Sequence, residues 1–283
     1  MAELRENRYG KTGIRLMKVT RKDGVHTVRE WTVRVLLEGD FADVHLTGNN
    51  AMVLPTDTMK NTVYARANVS TAESMETFAG ELVDFLLQRN PQVSAIEVSI
   101  DSAMWKRLRV DGAEHPNCFM HGSGEVQIAT LRRTRTGEEV LTCGLRDLVI
   151  LKTAKSAFEG YIQDDLTTLK ETADRLLGTS VSASWQYARI VADGAATRTR
   201  NAVREAMLKA FAEHDSRSVQ QTLFAMAAAA LESVPVLTEI TLVMPNMHNI
   251  LVNLEPLGQS NANEIFMPIA DPSGYIEARV TRA

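Results

Sequence analysis

Apolar and polar residues alternate along two stretches near the start of the chain. Residues 14–20 (IRLMKVT) and 26–37 (HTVREWTVRVLL) read as a pair of strands, with Val28, Trp31, Val33 and Val35 supplying the β-branched and aromatic content. A Lys-Asp-Gly turn at 22–24 links them. The period then changes. Residues 56–66 read as a short helix, and beyond Ser70 the residues Met75, Phe78, Ala79, Leu82, Val83 and Leu86 recur at helical spacing, which predicts a longer helix with one apolar face. Ser70-x-x-Glu73 reads as its capping box and Asn90-Pro91 as its stop. Alternation returns at Ile96, Val98 and Ile100, and continues at 104–110 and 125–132.

The same order then repeats. Strands are expected at 139–152 and 183–192, and helices at 195–213 and 217–233. The first of these helices would bury Val203, Met207, Ala210 and Phe211, the second Val219, Leu223, Met226, Ala230 and Leu231. Further strands are expected at 237–244, 248–254 and 275–281. Each half therefore reads strands, two helices, strands: an α+β chain built by duplicating an antiparallel α+β unit with helices on one face of its sheet, with units at 1–135 and 136–283. A sheet with helices on one face leaves the other face uncovered. An oligomer that closes several such sheets into a barrel would cover it and remove the exposed edges.

Composition narrows the function classes. Of 283 residues, 45% are hydrophobic and 23% charged, with a net charge of −4, which is ordinary globular chemistry. It argues against a nucleic-acid or anionic-membrane surface, because those need clustered basic charge. The opening MAELRENRYGK has no apolar signal core, and the longest apolar run, Leu223 to Leu231, is too short to span a bilayer. The closing Val-Thr-Arg-Ala is not a Ser-Lys-Leu peroxisomal address. A cytoplasmic protein is expected, with Cys118 and Cys143 as reduced thiols.

Candidate chemistry is sparse. His115-x-x-Cys118-x-x-His121 has ligand types that suit zinc, but no second ligand pair matches it, and Pro116 and Gly122 make the stretch read as a loop. No phosphate loop, dinucleotide fingerprint or G-x-S-x-G elbow occurs, so nothing points to a nucleotide cofactor, a flavin or an acyl enzyme. On its own Arg175 reads as a surface helix arginine, Gln220 as a first-turn polar residue, and His248 as a structural histidine at a strand entry. Together with an aromatic lid they would suit a flat anion: an Arg fork on one edge and an amide with donor and acceptor on the other. The run "VLPTDTMKNTVY" at 53–64 packs Thr56, Asp57, Thr58, Lys60, Asn61 and Thr62 around a helix start, where a cap needs only one hydroxyl.

Several blocks carry a resemblance. They are Tyr9-Gly10-Lys11-x-x-x-Arg15, "TDTMKNTVY" at 56–64, "LVILKTAKSAFEGYIQDDLTTLKETADR" at 148–175, "SVQQTLF" at 218–224, "MPNMHN" at 244–249 and "NEIFMPIADPSGYIEA" at 263–278. In this order the chain resembles the urate oxidase (uricase) family over essentially its whole length. The resemblance implies a tandem tunnelling fold of two antiparallel ββααββ units, a homotetramer whose sheets close around a tunnel, and cofactor-free oxidation of urate by O2 to 5-hydroxyisourate and hydrogen peroxide, with no metal. Carried over by motif, Arg175 grips one edge of the purine, Gln220 holds the opposite edge and Phe158 stacks on the ring. Val219 and Asp57 offer backbone groups to the substrate. Lys11, Thr56 and His248 relay protons, and Asn246 with Thr56 holds O2 and then water. Lys11 and Thr56 come from one subunit and the others from its neighbour. Two positions depart from the family pattern: Met247 stands where a Lys is common, and Glu159 where an aromatic residue or His is common. Two other readings of such a pocket are a non-catalytic purine sensor and a metal-dependent cyclohydrolase-type enzyme.

Overall fold

The computed structural model describes residues 2–187, 194–269 and 271–282. The chain divides into two compact units, Met1–Gly144 with Gln186–Thr199, and Leu145–Trp185 with Arg200–Ala283. Both mix helices with antiparallel pairings, so the chain is α+β.

In the first unit β1 (Tyr9–Lys22) and β2 (Val25–Gly39) form a hairpin. It reverses at Asp23-Gly24, whose φ values of 51° and 76° are those a tight hairpin turn demands. Three helices follow: α1 (Ala42–Leu46), α2 (Thr56–Val69) and α3 (Met75–Arg89). A second long hairpin, β3 (Val93–Val110) with β4 (Ala113–Thr134), completes an antiparallel order β1-β2-β3-β4. Alternate residues Trp31, Val33, Val35 and Leu37 of β2 are buried, as are Ile96, Val98 and Ile100 of β3. Phe78, Leu82 and Leu86 of α3 are buried too, α3 packs on β3 and β4, and Phe78 stacks on Trp31 at 5.2 Å.

Some expectations need correction here. Residues 104–110 continue β3 as expected, but 115–121 lie in β4 rather than in a loop. The cap of α3 is Ser74, whose hydroxyl accepts from the Thr77 N–H at 3.2 Å, and not Ser70. Ser70 instead ends α2, and its hydroxyl accepts from the Ala72 N–H at 3.0 Å. The hydrogen bonds decide between the two serines, because Ser74 holds an N–H of the first turn of α3 while Ser70 bonds Ala72, which lies before the helix begins at Met75. Ser74→Ala should therefore cost about 1 kcal/mol in urea unfolding, and Ser70→Ala clearly less. Equal losses would contradict this assignment.

The second unit holds most of β5 (Glu139–Lys152), β6 (Leu177–Tyr187), α4 (Ala195–Glu213), α5 (Val219–Ser233) and β7 (Leu237–Val243). A short β8 (Asn246–Met247) pairs with β6, and β9 (Asn249–Leu251) makes a small ribbon with β10 (Phe266–Pro268). A 3-10 turn, Glu255–Leu257, lies between β9 and β10, and β11 (Glu277–Thr281) pairs with β7. Of the strand expected at 248–254 only Asn249–Leu251 pairs, and the one expected at 183–192 starts earlier, at Leu177. Residues 188–192 of that expectation lie outside the described residues. Helix α5 packs on β7 and β11 through a face that includes Leu223, Met226 and Ala230. Ala210, expected in the α4 core, is only half-buried beside buried Met207 and Phe211. No helix among the described residues is long and apolar enough to cross a membrane.

Candidate functional site

The segment between β5 and β6 has no regular secondary structure, yet its ends are fastened residue by residue. The Ser156 N–H donates to Asp174 Oδ1 at 3.1 Å, and the Arg175 N–H donates to Ser156 O at 2.8 Å. The Phe158 and Thr172 backbones exchange hydrogen bonds at 2.8 and 3.2 Å. These bonds hold the Arg175 guanidinium over the Phe158 ring, its carbon 5.0 Å from the ring centre. Arg175 therefore stands in a fastened loop base and not on a surface helix, which corrects the reading of that residue taken alone. The same base reaches α5: Ala157 N–H donates to Ser216 O at 2.8 Å, and Ser216 N–H to Lys155 O at 3.0 Å. Ser218 then caps α5 by accepting from the Gln221 N–H at 3.1 Å. Val219 and Gln220 thus begin a helix close in sequence to this junction, with Val219 buried and Gln220 exposed.

A cavity of about 650 Å³ opens beside this base. Phe158, Leu169 and Arg175 line it from the loop, and Asn246, Met247 and His248 line it from the stretch after β7. Asn246 is anchored by its N–H, which donates to Gly274 O at 2.8 Å, and its amide nitrogen lies 3.4 Å from His248 Nδ1. Val219 and Gln220 do not line the cavity. Lys170, Asp174 and Arg175 bring charge to its wall; Asp174 Oδ1 accepts from the Ser156 N–H, while Arg175 Nε is buried with no hydrogen-bond partner among the described residues. Burial pulls the guanidinium below its ordinary pKa. A guanidinium stays cationic at neutral pH even so, and a desolvated, unpaired cation favours an anionic ligand.

The first unit collects a second set. Tyr9 OH donates to Leu54 O at 3.1 Å and accepts from the Leu54 N–H at 2.8 Å, which ties β1 to the entry of α2. Two residues on, Lys11 precedes a bulge between Lys11 and Ile14, where Gly13 takes a φ of 66°. A bulge re-aims the side chains beside it. Close backbone packing shapes this entry too, because a Cβ on Gly10 would sit 1.8 Å from Val35 O. Asp57 is held below the usual carboxylate range by the hydrogen bond and then the charge of Lys60, and the charge of Lys11 acts in the same direction.

The crowded polar run at the start of α2 now separates into parts. Asp57 bonds Lys60, and at 3.1 Å the Asn61 amide, while the Thr62 hydroxyl donates to Thr58 O at 2.8 Å. Thr56 is not the helix cap. Pro55 is, without a side-chain bond, and Thr56 is the first helical residue. Its hydroxyl has no hydrogen bond among the described residues, which leaves it available to a ligand or to Lys11.

His115 and Cys118 both bond Asn117, the His115 ring accepting from its N–H at 3.4 Å and Cys118 Sγ meeting its Oδ1 at 3.5 Å, while His121 lies edge-on to Trp105 at 5.3 Å. No group of three His, Cys, Asp or Glu side chains among the described residues is placed to hold a metal ion. Leu169 and Phe266 in the cavity wall, and Tyr9 at the entry to α2, are contributors that no spacing in the sequence marks.

Comparison with known proteins gives a consistent picture. The sequence profile of the Uricase family matches residues 7–132 and 141–277. The uricase of Arthrobacter globiformis is 38% identical over 279 residues, covering 99% of this chain and 90% of that protein. The uricase of Danio rerio is 34% identical over 280 residues, covering 97% of this chain and 93% of that one. The solved structure of the Arthrobacter globiformis uricase superposes with a TM-score of 0.92 over 100% of this chain and 96% of that chain. Urate oxidase from Bacillus sp. TB-90, at 20% identity, shares the fold with a TM-score of 0.83, covering 98% of this chain and 100% of that one.

Proposed function

Since the chain belongs to the uricase family, we propose that it oxidises urate with dioxygen and water to 5-hydroxyisourate and hydrogen peroxide, without a cofactor, in a site that adjacent subunits of a cytoplasmic homotetramer build together. The observation that carries this reading is Arg175: a desolvated, unpaired cation beside an aromatic face, in a cavity that also presents Asn246 and His248. A flat, aromatic, multiply hydrogen-bonding anion matches those features together, and urate is such an anion at neutral pH.

In this reading the Arg175 fork holds one edge of the purine, Phe158 stacks on its face, and Gln220 takes the opposite edge with its amide. Val219 supplies a backbone group and Asp57 a backbone N–H from the first turn of α2, where helix amides are free for an anion. The Lys11 amine, the Thr56 hydroxyl and His248 pass protons. Loss of a second proton makes urate a better electron donor, so two electrons can pass to O2. Asn246 and Thr56 hold that oxygen above the ring, and later the water. Addition of O2 at C5 gives a hydroperoxide. Loss of H2O2 and addition of water at the same carbon leave 5-hydroxyisourate, so urate, O2 and H2O balance against the two products. The protein contributes a base, charge stabilisation and exclusion of bulk water.

The direct assay follows urate's near-UV absorbance with O2 uptake and peroxide release. All three should change in equal amounts, with or without a chelator. Binding without absorbance loss would instead indicate a sensor, and chelator sensitivity a metal enzyme. Arg175→Lys keeps the charge but loses the fork, so urate should bind about 1–3 kcal/mol more weakly. An unchanged KM would contradict the role given to Arg175.

A further inference from the structure

The platform at Phe158 has a neighbour that the proposed chemistry leaves unused. Tyr161 stacks on the Phe158 ring, with centres 4.8 Å apart and planes at 15°. Its hydroxyl does not face solvent alone, because it donates to Leu169 O at 2.7 Å, and Leu169 lines the cavity. The surrounding cross-links run in step. Phe158 bonds Thr172 through the backbone, the Gly160 N–H donates to Glu171 Oε1 at 2.8 Å, and Tyr161 bonds Leu169. Beyond Tyr161 the loop turns on Asp164, whose Oδ1 accepts from the Leu166 N–H at 2.9 Å and from the Thr167 hydroxyl at 2.8 Å. Little of that outer half packs on the subunit, since Ile162 is 93% and Leu166 88% exposed. Tyr161 is thus the outermost of these three rungs, and its ring lies on that of the innermost, Phe158.

A phenylalanine ring has two faces. Tyr161 occupies one, so a purine stacked on Phe158 must take the other, next to the Arg175 guanidinium that also stands over the ring. A ring backed on one side is also restrained in its tilt, because an offset stack is favoured only near parallel. We propose that Tyr161 is a positioning residue: its ring backs Phe158 and its hydroxyl ties that stack to Leu169 in the cavity wall, so that the purine-binding face is set before substrate arrives. The role rests on the reading of the cavity as the urate site. Tyr161 touches no reacting atom. Its effect belongs to binding, shared by the ground state and the transition state, so it should appear in KM and leave kcat nearly alone.

The test compares Tyr161→Ala, Tyr161→Phe and Tyr161→Leu in the assembled enzyme. Urate KM is measured together with the Kd of xanthine, which has the same pyrimidine-dione edge but no C8 oxygen. Tyr161→Ala should raise both constants in parallel, about 3–10-fold, the range expected for loss of an aromatic pair. Tyr161→Phe keeps the ring and should stay within about 2-fold of the parent, with kcat within about 2-fold in every variant. Tyr161→Leu fills the space without a flat face and should behave like Tyr161→Ala, which keeps the test decisive if the alanine variant does not fold. A parental xanthine Kd in Tyr161→Leu, or a loss confined to melting temperature, overturns the proposal. A parent that neither consumes urate nor binds xanthine overturns the urate reading itself, so the two failures are distinct.

Discussion

Lys11→Met should leave the protein folded and able to bind urate, yet lower kcat by roughly 10²–10⁴-fold, the range a positioned general acid–base group contributes. The substitution keeps the length of the stem and removes the amine. Its structural cost should be small, because Lys11 is only half-buried and makes no side-chain hydrogen bond within the described residues. Asp57 loses only the smallest of the influences on its charge, since Lys60 still bonds it. Binding rests on groups other than Lys11, so xanthine affinity should be nearly unchanged. A Lys11→Met enzyme with parental kcat would remove Lys11 from the relay. The Thr56 hydroxyl, freed from any capping role by Pro55, is the natural next member of that relay, and Thr56→Val should share part of the loss.

Much of the fold is legible because burial on one face leaves a period. Trp31, Val33, Val35 and Leu37 alternate because only one side of β2 meets the core. Phe78, Leu82 and Leu86 recur as they do because one stripe of α3 meets the sheet. Where neither face is buried the signal fades. The outer half of the β3–β4 hairpin is mostly exposed or half-buried, and its pairing register slips between Arg107 and Arg109, so 115–121 reads as a loop although it is strand. Ser70 and Ser74 show the limit of a local cap pattern. Both are serines near the start of one apolar run, and only the backbone, whose helix begins at Met75, chooses between them.

The candidate site is legible in a different way. Its residues stand in blocks that carry the family resemblance, but no periodicity leads to them. Arg175 looks like a helix residue because "TLKETADR" has helical composition. The bonds that hold it, to Ser156 and through Asp174, belong to an irregular loop whose pairing across Phe158 and Thr172 leaves no repeat in the sequence. Thr56 looks like a cap because a hydroxyl follows a proline, and the backbone places the cap one residue earlier. Tyr161 has no signal at all, since a stack three residues away in an irregular loop follows no rule of spacing.

The division of the proposed site is open to one decisive measurement. Lys11, Thr56 and Asp57 belong to one compact unit of the chain, while Phe158, Arg175, Asn246 and His248 belong to the other. If these sets meet across subunits, each two-fold interface makes a pair of equivalent sites, and each site draws one set from either chain. A Lys11→Met chain and an Arg175→Ala chain, each inactive alone, are dissociated, mixed and reassembled, with labelled subunits reporting exchange. In a mixed pair one site collects both lesions and the other none. Random mixing makes about half of the pairs mixed, so roughly a quarter of the parental urate-oxidising activity should return from two dead proteins. No return of activity, with exchange confirmed by the labels, would show that each site lies within a single chain and contradict the shared site.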